Sequence, residues 1–231
     1  MVDKDMHLLS INIGQKRTQH KGDKLETTGI YKLPTREPTR INNLGIEDDF
    51  IGDQEAHGGP DQAVYIYGMP DYVWWGRELG KEMIPGMFGD NLTISSLESA
   101  QYKIGDRFHI GSAVLEVTSP RRPCATLAAR MDDPQFVKKY QRAERPGLYC
   151  RVIREGIVQT GDEVGTESYT GETIPARPFR RSSCSAIITG LIRMKKPSGI
   201  FSRRPSPSVR VKKWKRTCKN FCRERSGRPS G

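Results

Sequence analysis

The sequence predicts a mostly β domain over residues 1–176, a closed, antiparallel-rich β-barrel with a few short helices, followed by a basic tail of low order over 177–231. Three observations predict it. Short alternating or β-branched runs recur between Gly- and Asp-rich turns along residues 8–165. Few stretches show helical spacing, and many short strands with few helices is the pattern of a closed barrel. Past residue 176 the composition changes abruptly. Seventeen of the 38 Lys/Arg but only one of the 27 Asp/Glu (Glu224) lie at 177–231, so that segment carries +16 and residues 1–176 carry −5.

Leu8-Leu9-Ser10-Ile11-Asn12-Ile13-Gly14 alternates apolar and polar residues and ends in glycine, which reads as a strand. Residues 15–45 are polar, carry Pro34 and Pro38, and read as loop with short strands. Residues 44–53 are acidic and turn-rich. Ala63-Val64-Tyr65-Ile66-Tyr67 is β-branched and aromatic, a strand buried on both faces. Pro70 and Asp71 suit the first turn of a helix that continues through Trp74 and Trp75 to Leu79, with Gly80 as its stop. The two tryptophans are expected in the core or at its rim. Arg107-Phe108-His109-Ile110, the turn Gly111-Ser112 and residues 113–118 read as a hairpin. Residues 125–131 and 134–140 read as short helices. Residues 148–153 and 157–159 read as strands around the turn Glu155-Gly156.

The hairpin delivers the chain into Ser119-Pro120-Arg121-Arg122-Pro123-Cys124. Each proline fixes its own φ and biases the residue before it toward extended backbone, so Cys124 emerges from a stiff segment. The adjacent guanidiniums favour thiolate, the form that attacks electrophiles and binds soft metals. They are also forks shaped for phosphate or carboxylate. Taken alone, the stretch is better described as a loop cysteine filling a small apolar hole beside a solvated arginine pair. In Ala56-His57-Gly58-Gly59-Pro60-Asp61 the paired glycines let backbone approach a ligand, and His57 can donate a hydrogen bond or shuttle a proton. The plainer reading is a tight turn. Asn91, in Phe88-Gly89-Asp90-Asn91-Leu92, offers a donor and an acceptor to a heterocycle edge, or else forms an Asx turn. Gly105-Asp106 and Gly161-Asp162 read as turns, Cys150 as a buried strand residue and His109 as a strand residue facing solvent or a neighbour. Cys218 and Cys222 lack the partners a zinc site needs.

Five cysteines without framework spacing, and an opening segment without signal-peptide order, predict a reducing, cytoplasmic setting. No apolar run is long enough to span a bilayer, so no membrane partner is expected. The basic tail predicts nonspecific, salt-sensitive contact with nucleic acid. One origin for such a tail is a shift of reading frame near Arg177, and an adjacent frame across residues 213–222 can be written as an amphipathic helix.

In register, Gly52-Asp53, His57-Gly58-Gly59-Pro60-Asp61, Phe88-Gly89-Asp90-Asn91-Leu92, Gly105-Asp106, the 119–124 segment, Gly147-Leu148-Tyr149 and Gly161-Asp162-Glu163-Val164 resemble the MOSC domain. This is the module named after the C-terminal part of molybdenum cofactor sulfurase, and the likeness is to its YiiM-type branch. The resemblance implies a barrel-like fold binding the molybdenum–pterin cofactor; pyridoxal phosphate is not expected. It implies Cys124 as the thiolate ligand to molybdenum and as a catalytic residue with His57. Gly58, Gly59, Asn91, Arg121 and Arg122 would line the cofactor cleft. The implied activity is detoxifying reduction of N-hydroxylated bases such as 6-N-hydroxylaminopurine, with electrons from a separate reductase. A cofactor-binding or sulfur-carrier module without reductase turnover is the alternative. Gln62 stands where the family often has a basic residue, and Asp90 where it usually has Glu.

Overall fold

The computed structural model describes residues 6–176, so the basic segment 177–231, with Cys218 and Cys222, lies outside the described residues. The strands are β1 (Leu8–Gly14), β2 (Arg17–Lys21), β3 (Lys24–Thr28), β4 (Lys32–Thr35), β5 (Thr39–Asn42) and β6 (Gly45–Ile46), then β7 (Val64–Gly68) and β8 (Leu92–Ile94). They continue as β9 (Arg107–Ile110), β10 (Ala113–Pro120), β11 (Leu148–Arg154), β12 (Gly156–Val158) and β13 (Val164–Glu167). The helices are short: α1 (Gln54–His57), α2 (Met69–Leu79), α3 (Ala125–Arg130) and α4 (Phe136–Ala143). None is long and apolar enough to cross a membrane.

The expected closed barrel does not form. The main sheet is open, with eight strands in the order β13-β9-β10-β11-β7-β8-β1-β4, and only the β7–β8 pair is parallel. β1 already has β8 on one side and β4 on the other. Residues 6–8 meet residues 161–164 through one isolated bridge, His7 to Glu163, and through backbone hydrogen bonds from Leu8 N–H to Asp162 O, Gly161 N–H to Leu8 O and Val164 N–H to Met6 O. These contacts are not a ladder, so the circuit stays open. β12 also departs from a simple hairpin with β11. It pairs with β5, which pairs with β6, in a separate three-stranded sheet. β2 and β3 form a hairpin of their own.

Strand alternation sorts the core onto two faces. In β7, Val64 and Ile66 join Leu8, Ile11, Leu92, Phe108, Leu115 and Leu148 on one side. Tyr65 and Tyr67 point the other way, into an aromatic layer with Tyr72, Trp75, Phe88, Leu127, Phe136 and Tyr140. That layer is supplied by α2, α3 and α4. α2 has Pro70 in its first turn and ends where Gly80 adopts φ 62°. α4 begins two residues later than its sequence suggests, because Asp133 holds the turn: its Oδ1 accepts from the Gln135 N–H at 2.8 Å. Phe136 and Tyr140, four apart, form the buried stripe of α4. The site described next lies on this aromatic side.

Candidate functional site

β10 and β11 pair to their ends, Pro120 opposite Leu148, so the chain leaves the sheet directly into Arg121. Arg121 is buried and Arg122 is exposed. After Pro123, Cys124 takes extended backbone (φ −126°, ψ 171°) and opens α3. Its thiol is partly exposed. His57 and the Leu127 N–H hydrogen-bond it, and the Arg121 guanidinium lies nearby. Burial alone would push the thiol up. The His57 hydrogen bond, the Arg121 charge and the Leu127 N–H outweigh burial and bring it down to about 6. Near neutral pH Cys124 is therefore mostly thiolate. Cys150 is the contrast: burial inside β11 pushes its thiol up, so it stays a packing residue.

His57 ends the short helix α1, whose last turn closes through His57 N–H to Asp53 O at 3.0 Å. The glycines that follow turn the chain. A Cβ on Gly58 would come within 2.7 Å of the Gln54 carbonyl, and Gly59 sits at φ 88°, ψ 167°, where only glycine is comfortable. Asp61 then anchors the turn, its carboxylate in an ion pair with Arg151 and its carbonyl bonded by Thr118 Oγ1. Gly52 has a related structural task. A Cβ there would meet the Thr27 carbonyl at 2.3 Å, so glycine lets β3 lie against the lead-in to α1.

Arg121 is braced from the sheet. Its guanidinium lies 5.2 Å over the Tyr65 ring and hydrogen-bonds Tyr149. Tyr65 and Tyr149 pack at 5.2 Å. Tyr65 Oη is 2.9 Å from Tyr140 Oη and donates to the Pro146 carbonyl at 3.1 Å. Burial holds all three phenols above their ordinary range, so they act as neutral groups. Arg121 Nη1 is buried and has no hydrogen-bond partner among the described residues.

The structure therefore brings Cys124, His57 and Arg121 together, with Gly58 and Gly59 in the turn after His57. Asn91 belongs elsewhere. It is 4% exposed, its Oδ1 accepts from Tyr65 N–H at 3.1 Å and its Nδ2 donates to Asp49 at 2.8 Å. That amide clamps β7 to its neighbours and offers no free edge to a heterocycle. Asp49 also forms a buried ion pair with Lys32, whose pKa burial lowers. Asp90, kept above its ordinary range by burial, accepts from Tyr72 and Thr93. His109 is exposed, 3.2 Å from Glu167 on the paired strand. Gly105 (φ 100°) and Gly161 (φ 97°) make the expected turns.

Sequence reasoning missed the tyrosines as site residues. Alternation along residues 63–67 could have found them, because it places Tyr65 and Tyr67 on one face. It also missed Gln19 and Tyr31, which reach the surroundings of α3 from distant segments, and Arg130 at the end of α3 itself. Arg17 and Arg130 lie over the Tyr31 ring at 4.2 and 4.5 Å. Among the described residues no three His, Cys, Asp or Glu side chains form a metal cage.

The MOSC domain model matches residues 53–165. The uncharacterised protein YflK of Bacillus subtilis is 37% identical over 155 residues, covering 67% of this chain and 70% of that protein. A protein of Gibberella moniliformis named a reductase is 31% identical over 164 residues, 68% of this chain but only 28% of its own length. The crystal structure of YiiM from Geobacillus stearothermophilus superposes with a TM-score of 0.58 at 28% identity, covering 71% of this chain and 76% of that one.

Proposed function

The chain belongs to the MOSC domain family, and from that premise we propose that it is a molybdenum-cofactor-dependent reductase of N-hydroxylated bases such as 6-N-hydroxylaminopurine. The observation that carries the reading is the Cys124 thiolate, held at about 6 by His57 and Arg121. The residues present fit the group. A soft thiolate suits molybdenum. The buried, partnerless Nη1 of Arg121 suits an anionic oxygen such as a pterin phosphate. When bound, the cofactor supplies the two-electron chemistry that turns R–NH–OH into R–NH₂ and water.

The protein's own part follows from its geometry. Cys124 presents sulfur as thiolate. His57, hydrogen-bonded to that sulfur, carries a proton beside it and delivers one toward the departing hydroxyl. Arg121, fixed by Tyr65 and Tyr149, orients the cofactor's anion, and the exposed Arg122 adds a second cation. Two electrons and two protons balance the reduction; the electrons come from a separate reductase and the protons from solvent. The name of the Gibberella moniliformis relative supports reductase chemistry.

The same thiolate favours a second reading, a sulfur carrier that holds a persulfide on Cys124 without reductase turnover. One experiment separates them. Protein from a cofactor-competent host is given 6-N-hydroxylaminopurine and a chemical electron donor, reduced methyl viologen, and 6-aminopurine is quantified. Turnover in the wild type, abolished in Cys124→Ala, supports the reductase. No turnover, with cyanide-releasable sulfur on Cys124, replaces it with the carrier.

A further inference from the structure

The β2–β3 hairpin lies outside the residues matched by the MOSC domain model, yet it covers α3, the helix that Cys124 opens. Gln19 pairs with Glu26 and Arg17 with Thr28, which puts these four side chains on one face of the hairpin. Gln19 Nε2 donates to Glu26 Oε1 at 2.7 Å and reaches the Thr126 carbonyl at 3.4 Å, two residues after Cys124. Those partners fix the amide's orientation. Exchanged, its oxygen would face a carboxylate and a carbonyl. Gln19 Oε1 is therefore an acceptor. The residue is 7% exposed, and the oxygen has no hydrogen-bond partner among the described residues. Buried acceptors are ordinarily satisfied, and leaving one without a donor is destabilising. Arg121 Nη1, three residues before Cys124, is a buried donor without an acceptor. The two orphaned atoms are complementary, one on the residue three before Cys124 and the other on a residue whose amide bonds the carbonyl two residues after it.

We propose that Gln19 is a cofactor-holding residue whose Oε1 accepts a hydrogen bond from a ring N–H of the same bound group whose anionic oxygen meets Arg121 Nη1. The ligand such a pair selects carries N–H donors and an anionic oxygen on one framework, as a pterin phosphate does. The inference rests on the molybdenum–pterin reading of the site, and it gives the hairpin a role: it closes the cofactor's nitrogen-bearing edge from outside the matched domain.

The test uses the full chain from a cofactor-producing host as wild type, Gln19→Met and Glu26→Ala. Pterin is quantified by fluorescence after oxidation, at purification and during dialysis, and melting is followed on the cofactor-free proteins. Gln19→Met keeps bulk and removes the acceptor, whereas Glu26→Ala removes the brace and leaves the acceptor. Gln19→Met is expected to lose pterin about 3- to 10-fold faster than wild type, with Glu26→Ala close to wild type. Equal retention in wild type and Gln19→Met overturns the assignment. So does equally accelerated loss in both variants, which would make Gln19 a brace for the hairpin only. Absence of pterin from the wild type overturns the site reading itself and this assignment with it.

Discussion

Replacing His57 by alanine should raise the pKa of Cys124 and strip it of most of its thiolate at neutral pH. The wild-type thiol stands at about 6, against an ordinary value of 9.0. That gap corresponds to about 4 kcal/mol of preference for thiolate over thiol. Burial opposes the shift, so the favourable contacts together exceed that figure. The His57 hydrogen bond is the largest of them, ahead of Arg121 and the Leu127 N–H. Its removal should therefore return about 1–2 pH units, or about 1.4–2.7 kcal/mol. The assay is the pH profile of thiolate absorbance near 240 nm, taken as the difference from Cys124→Ala, with Cys124 alkylation followed on its own peptide. The midpoint is the quantity to compare. A thiolate of higher pKa is intrinsically more nucleophilic, so rates at one pH partly cancel the change. A midpoint that stays within about 0.3 of wild type in His57→Ala would refute the account of how this thiolate is made, since 0.3 is well below the one-unit shift that a charge-assisted hydrogen bond supplies.

Three further outcomes follow. The folded-state pKa of Cys124 is depressed, so its contribution to stability is fully present above the unfolded value and lost as pH falls through about 6. Cofactor-free wild type should accordingly gain about 1–3 kcal/mol on Cys124→Ala between pH 6 and 8.5 in urea unfolding, and a flat difference would contradict it. Asn91→Ala should cost about 1–3 kcal/mol by stranding the Tyr65 N–H and taking one donor from the Asp49 carboxylate, which keeps Lys32 and the Gly14 N–H. The fraction that stays folded should keep the Cys124 midpoint of wild type; a shifted midpoint with unchanged stability would place Asn91 in the site after all. Gly59→Ala should lower the urea midpoint by the equivalent of about 1–3 kcal/mol, because φ 88° with ψ 167° is glycine territory. An unchanged midpoint would show that the turn after His57 relaxes freely.

What could be read from residues alone was what local chemistry decides. The hairpin at 107–118, the doubly buried strand at 63–67, the stop at Gly80 and the stiff delivery of Cys124 between prolines and arginines each follow from a few neighbouring residues. Closure of the sheet does not. It depends on how β1 is shared along its length: β4, an unremarkable polar segment in sequence, pairs with Ile11–Gly14, and residues 161–164 reach the start of β1 through an isolated bridge and a few backbone hydrogen bonds rather than a ladder. The partners of Asn91 are hidden in sequence for a related reason. An amide flanked by Gly-Asp and an apolar residue looks available until Tyr65 and Asp49, 26 and 42 positions away, occupy it. Gln19 was invisible because its meaning comes from Thr126, 107 positions away. The Gly-Gly pair was read both as an anion nest and as a tight turn. Its backbone makes a tight turn, with Gly59 at φ 88° and ψ 167° directly after His57-Gly58.

A metal thiolate ligand at Cys124 should govern how much molybdenum the protein holds. The full chain and Cys124→Ala are purified side by side from a host that makes the cofactor, and metal is quantified per mole of folded protein. Near-stoichiometric molybdenum is expected in the wild type and its loss in the variant. Equal molybdenum in both, or none in either, would contradict it.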